Sequence, residues 1–204
     1  MGRRSEHSRD EIRDMAIEAA ARIVETKGFQ SLTARKVAAK IGYTVGTLYH
    51  VFRNFDDLVI HLNARTIDEW AALIQKKVKK LRNPEARIRT MAEVYVDYAT
   101  EHPDRWRLVF EHRAPRGLPT PELMKVRRDV LFEMVAENLR AYSPDHLEQE
   151  VNHTATALWS GIHGICILAL TGKLYLGGAF SMGKLIDTLI DSVLNEFDRA
   201  KTSG

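Results

Sequence analysis

The sequence predicts an all-α protein of about nine helices, and three observations carry that expectation. Apolar residues recur at spacings of three and four along almost the whole chain. Four boundary residues precede a proline, in Asn83-Pro84, His102-Pro103, Thr120-Pro121 and Ser143-Pro144, where a first helical turn tolerates the missing amide proton. No segment alternates with the period of two that a half-buried strand requires. A chain of 204 residues, 45% hydrophobic and 28% charged, has the composition of a globular protein and can join a small module to a larger domain.

The elements follow in order. Ser8 and Glu11 form a Ser-x-x-Glu capping box that starts the first helix, and Gly28 suits the left-handed position that ends it. Ile12, Ala16, Ala19 and Ile23 make its buried stripe. Thr33 caps a short helix ending at Gly42, and Thr44 caps another that runs to about Phe52. Asn54 caps a long fourth helix through about Leu81, and the prolines open those that follow. The last two helices run from around Val151 to Gly172 and from Met182 to Ala200. The final one carries Met182, Leu185, Ile186, Leu189, Ile190, Val193, Leu194 and Phe197 on one stripe, whereas its neighbour is apolar almost all round. The expected organisation is a small N-terminal domain over 8–55, a connecting helix over 56–82 and a larger domain over 83–200.

Several functions are excluded by what the chain lacks. The single Cys166 allows neither an internal disulfide nor a cysteine zinc site, and fits a reducing compartment. Met1 to Asp10 is polar and has no apolar leader core, so a cytoplasmic location is expected. Thr154 to Gly172 approaches transmembrane length, but His163, three glycines and several hydroxyls point to a helix buried in protein, not in a membrane. Glu150-x-x-His153 is half of a di-iron carboxylate motif without its second half. A Gly-x-Ser-x-Gly elbow, a phosphate loop and a His-Glu-x-x-His helix are all missing, so no enzyme, metal or cofactor is expected. A helical adaptor for another protein would account for the apolar C-terminal helices. It would leave unexplained that Thr26 to Phe55 holds Lys27, Arg35, Lys36, Lys40 and Arg53 and no acid, within a chain whose net charge is only +3.

That basic stretch contains a helix-turn-helix pattern. From Leu32 to Phe52, Val37, Ala38, Ile41, Leu48 and Phe52 fall on the inward side at helical spacing. Arg35, Thr44, Gly46, Thr47, Tyr49 and His50 are left outward on helices narrow enough for a major groove. Thr33 and Thr44 sit at helix N-termini, where a hydroxyl, unpaired amides and the positive end of the dipole suit a phosphate. Gly46 inside a helix costs about 1 kcal/mol against alanine unless another surface must approach the backbone. Val45, Gly46, Thr47 and Val51 offer no forked donor, so Arg35 is the candidate to read guanine at O6 and N7.

With Leu32-Thr33, Val37-Ala38, Gly42, Gly46-Thr47-Leu48-Tyr49 and Phe52 at these spacings, the stretch from Ser8 to about Leu62 resembles the TetR family of one-component regulators. The segment Ala157 to Gly164, with Trp159, His163 and Gly164, resembles the Trp-His-Gly type of C-terminal domain in that family. The resemblance implies an all-α ligand-responsive repressor that binds a double-stranded operator. It implies phosphate contacts from Tyr49 and His50, and with the basic residues the expected DNA set is Thr33, Arg35, Lys36, Thr44, Val45, Gly46, Thr47, Tyr49, His50 and Arg53. Many family members have lysine where this chain has Phe55, so Arg53 takes over that phosphate anchor or the grip is weaker.

One short recognition helix reads few bases, which calls for two copies on a palindrome. The resemblance assigns the homodimer to the last two helices, whose apolar character agrees. Met91, Tyr95, Tyr98, Trp106, Phe110, Met124 and Trp159, with His102, His112 and His163 among them, are either core or the lining of a small-molecule site. The resemblance places the inducer there, apart from His112, which is not in the expected ligand set.

Overall fold

Side-chain caps decide where several of the helices begin. In a computed structural model that describes residues 7–112, 121–174 and 181–200, α1 is Arg9–Lys27. The Ser8 hydroxyl accepts the Glu11 N–H at 3.2 Å, and the Glu11 carboxylate accepts the Ser8 N–H at 2.6 Å. These two bonds hold the Glu11 carboxyl below the usual carboxylate range. Ile12, Ala16, Ala19 and Ile23 are all buried. The exit differs from expectation. Gly28 has φ 74° but ψ 156°, an extended positive-φ conformation that only glycine enters readily, in place of the left-handed helical one. A 3₁₀ turn, Phe29–Ser31, then leads into the next helix.

α2 is Ala34–Ile41, α3 Val45–Val51, α4 Phe55–Val78 and α5 Pro84–Glu101. The Leu81 N–H donates to the Val78 carbonyl at 2.9 Å, and this tighter bond ends α4 three residues before the expected Leu81. Asn83 opens α5 as expected, its Oδ1 accepting the Ala86 N–H at 2.9 Å. α6 is Pro103–Glu111, α7 Glu122–Tyr142, α8 Glu148–Leu170 and α9 Met182–Ala200. Thr120 lies outside the described residues. Ser143-Pro144 does not start a helix: the Ser143 N–H closes α7 on the Leu139 carbonyl at 2.9 Å. α8 begins later in the chain, where the Glu150 carboxylate accepts the Leu147 N–H at 2.9 Å. The described residues contain no strand.

The chain divides into two compact units. The first takes the described parts of 1–68 and 102–127. Its core joins Ala16, Val24, Val37, Leu48, Phe52 and Leu62 with Leu108 of α6. Polar ties reinforce it. Arg105, only 6% exposed, donates to the Thr66 hydroxyl at 2.9 Å and reaches Glu25 at 3.3 Å, while Asn63 Nδ2 donates to the Leu108 carbonyl at 3.2 Å. A buried guanidinium and a buried leucine therefore hold α6 in this unit, although the sequence suggested that it belongs with the domain over 83–200.

The second unit takes the described parts of 69–101 and 128–204. Ile74, Val78, Met91 and Val94 form one core cluster. α9 packs along α8, with Ile186, Ile190, Leu194 and Phe197 buried. A Cβ on Gly161 would stand 2.5 Å from Leu189 Cδ2, so the leucine side chain fills the space that the glycine leaves. Leu185, Leu189 and Val193 on the same stripe are only half-buried. α8 is, among the described residues, the helix long and apolar enough to cross a membrane, with a mean hydropathy of 1.2, yet it packs here against α5 and α9. Its Cys166 is buried, which pushes the thiol up to about 11.

Gly28→Ala would force an L-residue into a backbone region that costs about 1–3 kcal/mol. Nothing lies closer than 3.7 Å to the added Cβ, so the loss is backbone strain alone. In urea unfolding the midpoint falls by that loss divided by an unchanged slope, and a smaller loss is expected for Gly42→Ala, where φ 76° and ψ 21° are left-handed helical.

Candidate nucleic-acid interface

Each helix of the turn is too short to hold itself, so its ends are closed individually. The Thr33 hydroxyl accepts the Lys36 N–H at 3.3 Å and starts α2. Gly42 in the left-handed conformation ends it, its N–H bonding the Ala39 carbonyl at 3.3 Å while the Tyr43 N–H bonds Ala38 at 3.0 Å. The Thr44 hydroxyl accepts the Thr47 N–H at 3.2 Å and lies 3.0 Å from the Thr47 hydroxyl. Inward, Val37, Ala38, Leu48 and Phe52 are buried, and Ile41 packs against them half-buried.

Outward, Thr33, Arg35, Lys36, Thr44, Gly46, Tyr49, His50 and Arg53 are exposed, Tyr49 to 46%. Two of the expected contacts are less available. Val45 is half-buried against the core, and Thr47 spends its hydroxyl on Thr44. Lys36 lays its ammonium on the Ser31 carbonyl at 2.8 Å, so it also ties α2 to the 3₁₀ turn. A Cβ on Gly46 would meet nothing closer than the Thr44 hydroxyl at 3.6 Å. The fold itself therefore does not demand glycine there.

The two acids that follow the basic stretch are engaged within the protein. Asp57 accepts the Arg53 N–H at 2.9 Å while Asn54 Oδ1 accepts the Asp57 N–H at 2.8 Å, which caps α4. Asp56 pairs with His112 at 3.1 Å. Phe55 turns half-buried toward the core, a packing role that a lysine could not fill there. The start of α1 and the chain before it also reach this surface: Arg9 donates to the His50 carbonyl, and His7 lies 2.8 Å from the Tyr43 hydroxyl. Sequence reasoning missed these ties because they join residues far apart in the chain.

The expected small-molecule residues divide between the units. His102, Trp106, Phe110 and Met124 fall in the first, where Trp106 is fully buried and meets Phe110 edge to face at 5.2 Å. In the second, Met91 belongs to the core cluster, and the rings form a continuous row. Tyr98 meets Trp70 at 5.3 Å, Trp70 meets Tyr95 at 5.7 Å, and Tyr95 meets His163 at 6.4 Å. His163 stacks on Trp159 at 5.2 Å, and Trp159 meets Phe132 at 5.6 Å. The Tyr95 hydroxyl lies 2.7 Å from His163 Nδ1, and burial holds the imidazole pKa below its usual value. Trp70 and Phe132 were not foreseen as members. Among the described residues no group of three or more His, Cys, Asp or Glu could hold a metal ion.

Two family profiles match the chain. Residues 16–62 match "Bacterial regulatory proteins, tetR family", and residues 88–193, more than half of the chain, match "Tetracyclin repressor-like, C-terminal domain". An uncharacterised helix-turn-helix-type transcriptional regulator of Mycobacterium tuberculosis is 28% identical over 160 residues, 78% of this chain and 71% of the relative. Two solved structures are similar in fold. A protein of unknown function from Rhodococcus sp. RHA1 gives a TM-score of 0.72 at 20% identity, covering 96% of this chain and 98% of its own. AibR, solved in complex with isovaleryl coenzyme A and operator DNA, gives 0.58 at 16% identity, covering 89% and 97%.

The space around Gly46 yields a paired expectation. Gly46→Ala should raise the melting temperature slightly, by the helix propensity gained, about 0.5–1 kcal/mol. The same variant should bind DNA at least about tenfold more weakly if the backbone there must approach a second surface. Calorimetry and a duplex-binding titration on one preparation check both halves.

Proposed function

Since the chain belongs to the tetracycline-repressor family of bacterial regulators, we propose that it is a cytoplasmic repressor that grips a palindromic operator as a dimer and leaves it when a small molecule binds. The carrying observation is the outward face of α2 and α3. Arg35, Thr44, Gly46, Tyr49 and His50 stand exposed on a stretch without acids, while Leu48 and Val51 on the opposite side are buried. A positive, preformed ridge one helix wide suits the major groove. Arg35 is the guanine reader in this account; Thr33, Lys36, Thr44, Tyr49, His50 and Arg53 serve phosphates, and Val45, Gly46 and Thr47 line the approach.

The dimer uses α8 and α9. The exposed side of α8 carries Thr156, Ala157 and Ser160, small enough for another helix to approach. A groove of about 540 Å³ runs beside them, lined in part by His153, Ala157, Val193 and Glu196. The half-buried Leu185, Leu189 and Val193 give α9 more apolar width than one neighbouring helix covers.

The effector site is the aromatic row, with Tyr95, Tyr98, Trp159 and His163 as its expected members and Met91 in the core beside it. The likeness of Ala157 to Gly164 to the Trp-His-Gly type supports this choice. That AibR, similar in fold, was solved in complex with isovaleryl coenzyme A and operator DNA supports a protein that takes both a small molecule and DNA. His102, Trp106, Phe110 and Met124 keep a part in that response, and release requires a ligand that prefers one state by about 1–3 kcal/mol.

Selection of random duplexes with the purified chain at two salt concentrations tests the proposal. It should enrich a palindrome whose binding falls steeply with salt; no enrichment and no salt dependence would contradict it. On that operator, Arg35→Ala should lose about 1–3 kcal/mol and much of its preference over scrambled duplex, whereas Tyr49→Phe weakens both duplexes alike. Equal losses on operator and scrambled duplex for Arg35→Ala would remove it as the base reader.

A further inference from the structure

We propose that Arg9, the first residue of α1, holds a backbone phosphate of the operator at the C-terminal end of α3. This rests on reading α3 as the recognition helix and adds a contact that the expected DNA set lacks.

A helix of seven residues is about 10 Å long, and the major groove is about 12 Å wide. With α3 in the groove, its ends come within side-chain reach of the phosphates that border it. The C-terminal end is the unfavourable one for an anion, because the last carbonyls have no partner inside the helix and carry the negative end of its dipole. Among these, the Leu48 carbonyl accepts the Phe52 N–H at 2.8 Å, and the His50 carbonyl accepts an N–H of Arg9. A phosphate approaching this end therefore meets a guanidinium in place of a bare carbonyl.

The carbonyl takes a hydrogen bond from Arg9 without cancelling its charge, and the fork has further N–H groups to give. Among the described residues Arg9 makes no ion pair, and it is exposed, as are His50 and Arg53. The acids next to it in the chain are engaged elsewhere. Asp10 pairs with Arg13 at 2.6 Å, and Glu11 accepts the Ser8 N–H at 2.6 Å. The first turn of α4 brings Phe55, Asp56 and Asp57 to this end and no cation. Arg53 and, from 41 residues before His50, Arg9 supply the positive charge instead. The chain around Arg9 is also held in place: His7 lies 2.8 Å from the Tyr43 hydroxyl, and Ser8 caps α1. A guanidinium already ordered on the protein loses less freedom when it takes a phosphate.

Salt titrations of duplex binding by the full chain test this, on the selected operator and on a scrambled duplex. Arg9→Gln keeps an amide donor for the His50 carbonyl and removes the charge, whereas Arg9→Lys keeps the charge. Arg9→Gln should bind both duplexes about threefold to tenfold more weakly, with the slope of log K against log salt reduced by about 0.9. Arg9→Lys should keep the slope of the unchanged chain. A methylphosphonate placed at each phosphate of the half-site in turn should reveal one position where losing the charge weakens the unchanged chain but not Arg9→Gln. An unaltered slope for Arg9→Gln overturns the proposal even if affinity falls, since a tie that only steadies α3 releases no fewer counterions. Equal responses of both proteins at every methylphosphonate overturn it too. If the unchanged chain binds neither duplex, the reading of α3 as the recognition helix falls and this contact with it. If the unchanged chain binds its operator and Arg9→Gln matches it in slope, the contact alone falls.

Discussion

A helix of seven residues has no stability of its own in water, and α3 is such a helix. Nucleating one turn fixes several residues for a single hydrogen bond, so α3 exists only because Leu48 and Val51 are buried among residues of α1, α2 and α4. Full burial of such side chains contributes roughly 1.5–3 kcal/mol each, and a threonine cap about 1 kcal/mol. The remainder of the first unit follows from that need. α1 supplies an alanine-rich floor in Ala16, Ala19, Ala20 and Ala21, which lets the short helices lie close. Arg105 and Asn63 fasten α6 to the same core, and Arg9 fastens the start of α1 to the end of α3. None of these ties uses the Tyr49 or His50 side chain.

The second unit meets the opposite requirement. Its long helices bury ample surface, so it can leave parts of that surface incompletely covered. α8 shows both behaviours along one helix. Leu158, Ile162 and Cys166 are sealed, Gly161 admits Leu189 of α9, and Trp159 and His163 stay half-buried in the aromatic row. Small residues on a third side leave room for another helix. One helix thus serves core, dimer face and ligand site in the proposed account, which explains why it is apolar almost all round without being a membrane span.

What was legible in the sequence was local. Ser8 with Glu11, Thr33, Thr44 and Asn83 each act on an amide three residues ahead, so spacing alone reveals them. The inward face of the helix-turn-helix was legible for the same reason. Gly28 was read correctly as a helix stop but not in its ψ, which the following 3₁₀ turn dictates. Ser143-Pro144 matched the rule for a first turn, yet Ser143 instead closes the preceding helix. The placement of α6 was not legible, because a proline boundary says where a helix starts and not which core receives Leu108 and Arg105. Trp70 escaped because it sits on α4, whose aromatic side chain joins the row only through tertiary packing with Tyr95 and Tyr98. Phe55 shows the limit of family expectation: the position that often contacts phosphate here packs inward.

On the proposed function, α3 is fully formed before DNA arrives, held by the core and not by an operator. Amide hydrogen exchange on the DNA-free chain tests it most directly, at the N–H groups of Leu48 to Phe52, whose acceptors lie within α3 and its cap. Protection close to that of the buried positions of α1 is expected, because opening α3 requires exposing Leu48 and Val51. Exchange at unprotected rates in the free chain, with protection appearing only on operator DNA, would contradict it.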